Sequence, residues 1–269
     1  MKNFPQIISK VYEQPWLITP AKHRAIQKLL AAHMDGNPMD MPEPDDGEED
    51  CCEIQMDGGT AIIPVHGIIG KHLSMLETMC GGCDLDEVCD MLDMAEQDDT
   101  VSRVLLDFRT PGGTVTGIPE MARKIANYSK PTVGFTDSEC CSAGYYLASQ
   151  CGRFYATESS TVGSVGVYMA LLDESRALEN EGIKINAIKA GEFKLAGASF
   201  KPLTDSERTM FQASVDKLHE QFKAAVLRNR EISPKCLEGQ CFDGEAAVEC
   251  GMVDGLVESI TEVLDSQES

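Results

Sequence analysis

The stretch Val101-Ser102-Arg103-Val104-Leu105-Leu106-Asp107-Phe108-Arg109-Thr110-Pro111-Gly112-Gly113 reads as a buried strand running into a glycine-rich turn. A helix is predicted just beyond it, from about Ile118 to Tyr128. The same order repeats outward in both directions. Upstream, Thr60-Ala61-Ile62-Ile63-Pro64-Val65-His66-Gly67-Ile68-Ile69-Gly70 is an apolar run bounded by glycine, followed by a helix near 84–96. Downstream, a strand at Thr132-Val133-Gly134-Phe135-Thr136 precedes a short helix at 142–150. Apolar runs at 153–157, 162–170 and 183–189 complete the series before a long amphipathic helix at roughly 204–230. Strands alternating with helices predict an α/β domain with mainly parallel sheets and flanking helices. No internal sequence repeat is visible.

The chain has 269 residues, 42% hydrophobic and 25% charged, which excludes a wholly disordered or collagen-like protein. Lys and Arg number 23 against 44 Asp and Glu, a net charge of −21, and no basic residue occurs between Lys28 and Lys71. Nucleic-acid binding needs a basic face, and so does an anionic membrane surface, so neither partner is expected. No window approaches the roughly 18 to 20 apolar residues that span a bilayer, and the N-terminus lacks a secretory core. Eleven cysteines, with two adjacent pairs at Cys51-Cys52 and Cys140-Cys141, do not resemble a secreted disulfide framework. The expectation is a reducing, cytoplasmic protein with ordinary thiols.

Four segments follow from these patterns. Residues 1–34 hold a short helical arm after Pro20, and residues 35–58 form an acidic, proline-rich flexible linker that cannot offset the entropy of ordering it. Residues 59–262 form the main domain, and residues 263–269 a tail.

Chemistry is expected where loops leave the carboxyl ends of strands. Thr110-Pro111-Gly112-Gly113 lets backbone N–H groups approach an anion closely, although a plain strand-to-helix turn would look the same. No Gly-Lys-Ser/Thr follows it, which argues against a phosphate loop. Cys140-Cys141-Ser142-Ala143-Gly144-Tyr145-Tyr146 puts a hydroxyl at the start of a predicted helix, where the Ala143 N–H can donate to an oxyanion. An N-cap serine is the alternative.

A serine nucleophile needs a base. Of the five histidines, His66 and His72 flank a strand and are the contenders; His23 and His33 lie by the linker, and His219 sits mid-helix on an expected solvated face. Lysine is the other candidate, and Gly191-Glu192-Phe193-Lys194-Leu195 offers one after the apolar run 183–188, with Lys184, Lys189 and Lys201 nearby. An ordinary lysine is neutral in only about four molecules per ten thousand at pH 7, so burial must lower its pKa for it to act as a base. Ser164, within Thr161-Val162-Gly163-Ser164-Val165-Gly166-Val167, is a candidate to orient that lysine or simply a core hydroxyl. Cys80-Gly81-Gly82-Cys83 followed by Cys89 has ligand-like spacing but lacks a second Cys-x-x-Cys, so no metal or cofactor is expected. Cys141 is an alternative nucleophile without a matching motif.

Thr-Pro-Gly-Gly at 110–113, Cys-Ser-Ala-Gly-Tyr at 141–145, Thr-Val-Gly-Ser-Val-Gly-Val at 161–167 and Gly-Glu-Phe-Lys at 191–194 resemble, in order and spacing, the motif set of the signal peptide peptidase A family. These are Ser/Lys-dyad serine peptidases with a ClpP/crotonase-like fold. The likeness continues through Phe200-Lys201-Pro202-Leu203-Thr204 and Phe242 to Asp254. The opening Phe4-Pro5-Gln6-Ile7-Ile8 and Glu13-Gln14-Pro15-Trp16-Leu17-Ile18-Thr19-Pro20 resemble the tailed-phage branch, the lambda-like capsid assembly (prohead) proteases. The resemblance implies Ser142 as nucleophile, Lys194 as base, Ser164 hydrogen-bonded to Lys194, and the N–H groups of Gly113 and Ala143 as the oxyanion hole. It implies no cofactor, a homo-oligomeric ring, and phage scaffold and capsid proteins as substrates in the host cytoplasm or assembling procapsid. The spanning helix of membrane-anchored members is absent, and the end at Ser269 implies a stand-alone protease. Other readings are a peptidase degrading signal peptides or short peptides, a crotonase-like acyl-CoA enzyme, and a non-enzymatic assembly module.

Overall fold

Strand-forming sequence recurs in this chain as a long strand, a sharp turn, a short strand and then a helix. The structure, a computed structural model, describes residue 11 and residues 14–34, 53–79 and 81–265. The chain opens with β1 (Trp16–Ile18) and α1 (Pro20–Met34), followed by β2 (Gln55–Asp57), β3 (Thr60–His66), β4 (Ile68–Gly70), α2 (Met75–Met79), β5 (Gly82–Asp84) and α3 (Leu85–Gln97). Next come β6 (Arg103–Arg109), β7 (Gly112–Thr114), α4 (Ile118–Ala126), β8 (Thr132–Thr136), β9 (Glu139–Cys141), α5 (Ala143–Ala148), β10 (Arg153–Ala156) and β11 (Thr161–Gly163). The rest is α6 (Ser175–Asn180), α7 (Asp205–Asn229), β12 (Cys241–Phe242), α8 (Gly244–Glu249), β13 (Gly255–Leu256) and α9 (Ile260–Asp265).

The long strands β3, β6, β8 and β10 lie side by side and parallel in a six-stranded sheet of order β13-β10-β8-β6-β3-β2, with only β2 antiparallel. Each is followed by a short strand that leaves for another sheet. β4 and β7 join β1-β7-β4-β5, while β9 and β11 join β12-β11-β9. The α/β class with mainly parallel pairing is therefore as expected, and it is built from four repeated strand–strand units whose side chains share no obvious pattern. Backbone geometry carries that repeat, which is why a residue-by-residue comparison misses it.

Each turn has a local reason. The predicted strand from Thr60 to Gly70 is two strands, because Gly67 adopts a φ of 95° and turns the chain out of the large sheet. Asp84 caps α3 by accepting from Asp86 N–H, and Thr204 and Glu207 cap α7 reciprocally. Asp243 caps α8 and Gly251, at a φ of 78°, follows its end. Helix α5 is buried throughout: Tyr146 stacks on Phe222 at 4.5 Å and the Tyr145 hydroxyl donates to the Met252 carbonyl at 3.0 Å.

Several boundaries and environments differ from expectation. Gln55–Asp57, assigned to the acidic linker, pairs antiparallel with Thr60–Ile62 as a hairpin; residues 35–52 of that linker lie outside the described residues. The domain runs past residue 262, because Val263 on α9 is 1% exposed and packs with Leu105, Val133 and Phe135. The run 183–189 is not a strand; it is exposed coil, and Ile188 is fully exposed. Cys236 and Cys250 are joined in a disulfide with Cα atoms 6.3 Å apart, against the expectation of ordinary thiols throughout. No helix among the described residues is long and apolar enough to cross a membrane.

The described part of the N-terminal segment packs on the domain. β1 is an edge-on partner of β7, and Val11, Trp16 and Ile18 form a small cluster with Ile26, Ile68 and Tyr168. His23 lies buried against it, its ring 5.0 Å from Trp16 and 5.5 Å from Tyr168, and its Nε2 hydrogen-bonds the Val11 carbonyl at 2.9 Å. Burial holds the His23 pKa below its ordinary 6.5. A folded-state value below the unfolded one means that the unfolded chain takes up the proton first. Stability is then complete above about pH 6.5 and is lost as the pH falls from there towards the folded value. Acidification from pH 7.5 to 5 should therefore red-shift the emission of Trp16, the single tryptophan, and His23→Gln should remove that step.

Candidate active site

Three segments meet where short strands leave the large sheet. The first is Arg109–Gly113, at the carboxyl end of β6. Thr110 bridges to Cys140 of the neighbouring unit, its N–H donating to the Glu139 carbonyl at 2.6 Å, while Cys141 N–H donates to the Thr110 carbonyl at 3.0 Å. The Thr110 hydroxyl also accepts from the Gly112 N–H at 3.1 Å, which shapes the turn. A Cβ on Gly113 would stand 1.9 Å from the Ile69 carbonyl oxygen, and one on Gly112 would stand 2.1 Å from the Leu17 oxygen and 2.9 Å from Ser142 Cβ. The two glycines thus allow three stretches of backbone and Ser142 to meet at one point.

The second segment carries Ser142 between β9 and α5. Its backbone sits at φ 54° and ψ −113°, a left-side conformation that costs a non-glycine residue about 1–3 kcal/mol. Its N–H donates to the Gly163 carbonyl at 2.8 Å. The side chain is 1% exposed, does not cap the helix, and its hydroxyl has no hydrogen-bond partner among the described residues. The N-cap explanation for this serine is therefore not met. Ala143 follows at the helix start, fully buried, and Gly144 is required because a Cβ there would lie 2.3 Å from Thr110 Cγ2.

The third segment follows β11. Ser164 also has a positive φ, 55°, and its N–H donates to the Gln240 carbonyl at 2.6 Å. Ser142, Ser164, Gly113 and Ala143 are thus gathered into one region by adjacent strand ends. His219, expected on a solvated helix face, turns inward instead: its Nε2 lies 3.1 Å from the Val165 carbonyl and 2.9 Å from the Leu237 carbonyl. It ties α7 to the residue after Ser164. Nothing in the local helical pattern separates such a histidine from a solvated one.

Lys194 is not gathered in. It lies exposed in the excursion 175–198, whose ends are held together where Glu174 N–H donates to the Ser199 carbonyl at 2.7 Å and Ser199 Oγ to Glu174 at 2.8 Å. The Lys194 amine makes no ion pair or hydrogen bond with the described residues, including Ser142 and Ser164. Lys201, by contrast, is paired with Glu207 at 2.6 Å, and its ammonium holds the Glu207 carboxyl below the usual range. The two histidine contenders are engaged elsewhere: His66 Nε2 is 2.8 Å from Asp107 and His72 Nδ1 is 2.5 Å from Asp86. Beyond Tyr168 a cleft of about 660 Å³ opens between residues 167–173, the 197–203 turn and α7.

Thiols near the serine are poor nucleophiles. Cys140 is pushed well up by burial, and Cys141 by the neighbouring Cys241 thiol and then by burial. Cys241 is the exception, brought down to about 7 by Cys141 and, beyond a counteracting burial, by the Ser164 hydroxyl. Cys141 and Cys241 flank Gly163 from two different neighbouring strands. Two strand spacings of ~4.8 Å exceed the ~7 Å that a disulfide tolerates, so their close sulfurs do not form a ready crosslink. Cys83 is buried in β5, Cys89 lies 3.8 Å from Asp93, and Cys80 is outside the described residues.

The model for peptidase family S49 matches residues 124–268, more than half of the chain and including Ser142, Ser164 and Lys194. The chain belongs to that family. Among its relatives, capsid assembly protease C of Escherichia phage lambda is 29% identical over 282 residues, covering 96% of this chain and 64% of that protein. Head-tail preconnector protein GP5 of Enterobacteria phage P21 is 27% identical over 278 residues, covering 95% and 56%. The chain therefore spans less than two thirds of either relative. An enoyl-CoA hydratase/isomerase family structure from Silicibacter pomeroyi overlaps 80% of this chain and 79% of its own at a TM-score of 0.46 and 14% identity, too distant to add to the assignment.

The glycine turn is the part of this site most exposed to steric test. Gly113→Ala should destabilise the protein by about 1–3 kcal/mol, because the Ile69 backbone must move to admit the methyl group. Urea unfolding followed by circular dichroism would show it as a lower midpoint.

Proposed function

We propose that the chain is a serine endopeptidase in which Ser142 is the nucleophile, Lys194 the general base and Ser164 the group that orients it. The N–H groups of Gly113 and Ala143 form the oxyanion hole. The observation that carries this reading is Ser142 itself, a strained and buried hydroxyl without a hydrogen-bond partner among the described residues, beside a glycine pair that lets neighbouring backbone approach closely. A structure that only needed a serine there would relax the backbone or bond the hydroxyl.

In the proposed reaction Ser142 Oγ attacks the scissile carbonyl carbon as the neutral Lys194 amine takes its proton. The two N–H donors hold the tetrahedral oxyanion, Lys194 returns the proton to the leaving amine, and water then releases the acyl group by the same route. Lys194 must approach Ser142 for this to happen, so the exposed position of residues 175–198 is read as an open arrangement. Its neighbours Ile183, Ile185, Ile188 and Phe193 are all exposed, and covering them offers a driving force for closure. We assign that cover to a second copy of the chain in a homo-oligomeric ring. From the sequence resemblance, and by analogy with a phage relative named for capsid assembly, the substrates are scaffold and capsid proteins of a phage or prophage head.

Ser142→Ala should lower cleavage of a candidate scaffold protein by about 10⁴- to 10⁶-fold. The same variant should melt no lower than the wild type, since it loses only an unpaired hydroxyl. Lys194→Ala should be equally inactive, and wild-type activity should rise with pH because only the neutral amine accepts the proton. Cleavage that survives Lys194→Ala would sink the dyad and return attention to His66 and His72. Ile188→Asp should shift the protein towards monomer in size-exclusion chromatography with light scattering and reduce cleavage in parallel.

A further inference from the structure

Residues 16–19 occupy a slot with backbone on both sides. On one side β1 pairs antiparallel with β7 in the register Trp16–Thr114, Leu17–Gly113, Ile18–Gly112. On the other, Trp16 N–H donates to the Tyr168 carbonyl at 2.9 Å and Tyr168 N–H to the Trp16 carbonyl at 3.2 Å. The strand is thus inserted between the glycine turn and the segment that follows Ser164. Thr19 N–H donates to the Pro111 carbonyl at 3.1 Å, and hydrogen-bonded pairs alternate in an antiparallel ladder, so Leu17 and Gly113 form the next such pair. The Gly113 N–H therefore points at the Leu17 carbonyl oxygen. That oxygen also approaches the Gly112 position that faces Ser142 Cβ.

We propose that this strand is a built-in pseudosubstrate, lying in the channel that an extended substrate peptide takes and setting the class of peptide that fits. The proposal rests on the peptidase reading for the identity of the channel. Leu17 stands where the residue before the scissile bond would stand, its carbonyl on one of the two proposed oxyanion donors. Its side chain, 2% exposed, is buried in the main core cluster, so the channel accepts a leucine-sized apolar group at that position. Trp16 and Ile18 alternate to the opposite face and hold the strand through the separate Val11, Ile26, Ile68 and Tyr168 cluster. The main core cluster does not include those residues, so releasing the strand withdraws a single side chain, Leu17, from the main core.

Other features fit an occupant rather than a permanent strand. Ladder pairing along the strand ends at Thr19, since Pro20 and Pro111 both lack an N–H. The Trp16 indole N–H and the Tyr168 hydroxyl are buried without partners among the described residues. With the strand in place Ser142 is closed off from solvent, and with Lys194 in the exposed excursion no base reaches it. Leu17 can therefore rest beside the serine without being cut. An incoming chain would exchange its own backbone hydrogen bonds for those of residues 16–19, a trade that sheet pairing makes independent of most of its sequence.

Trp16, the single tryptophan, reports directly on this exchange. The probe is a fluorescein-labelled heptapeptide of the sequence of residues 14–20 with phenylalanine in place of tryptophan, titrated into full-length Ser142→Ala protein so that nothing is cleaved. Peptide polarisation should saturate while Trp16 emission shifts to the red in step. Adding Ile18→Ala, which loosens the strand's anchor, should lower the half-saturating peptide concentration about tenfold, because a larger fraction of molecules is already open. Ile18→Val gives the same direction more weakly if the alanine variant does not fold. Peptide binding with Trp16 unmoved, no binding to either protein up to millimolar peptide, or a folded Ile18 variant with unchanged half-saturation would each overturn the proposal. Coupled binding and Trp16 release, together with wild-type protein that cuts no peptide, would instead retain the strand's role and remove the peptidase reading.

Discussion

Backbone crowds the Gly112–Gly113 peptide from every side, and the local architecture depends on that crowding. β4 approaches through the Ile69 carbonyl, β1 through the Leu17 carbonyl, and Ser142 through its Cβ, each at a distance that leaves no room for a side chain. The constraint is steric and local, yet it locates elements far apart in sequence. It sets β1 against β7, turns the chain from the six-stranded sheet into the four-stranded one, and places the Gly112–Gly113 peptide beside the serine.

Holding Ser142 in this way is costly, and the surrounding packing offsets the cost. A positive φ at a serine and an unpaired buried hydroxyl each oppose folding by about 1–3 kcal/mol. Helix α5, which starts at the next residue, is buried along its whole length; its Tyr145 is fully buried, as are Phe154 and Phe222 packed against it. Full burial of one such side chain contributes about 1.5–3 kcal/mol. A few of them outweigh the strain, so the serine is rigid because its helix is.

The site also divides into a rigid half and a half held by few contacts. Gly113, Ala143, Ser142 and Ser164 stand on strand ends knitted together by backbone hydrogen bonds. Lys194 stands in an excursion tied at its base by Glu174 and Ser199 and otherwise exposed. Segments with little buried apolar surface open and close at low free energy, so the proposed base is carried by the part of the chain best suited to move. The N-terminal strand is different again: it is buried and paired on both edges, with Trp16 and Ile18 in a small cluster of their own and Leu17 in the main core.

The alternation of strands and helices, the cap at Asp243, and the ordered motifs around Gly113, Ser142, Ser164 and Lys194 were all legible in the sequence, because they rest on local propensity and on residue types at fixed spacing. The inward turn of His219, the strand role of Gln55–Asp57, the Cys236–Cys250 link and the burial of Val263 were not legible, since each depends on a partner distant in sequence. The run 183–189 is apolar enough to read as a core strand, and whether such a run is covered is a property of its surroundings. The same holds for Trp16–Ile18. Composition marks it as apolar, but only tertiary structure could place it between Gly113 and Tyr168, because antiparallel pairing is settled by which backbone edges remain open once the rest of the chain has folded.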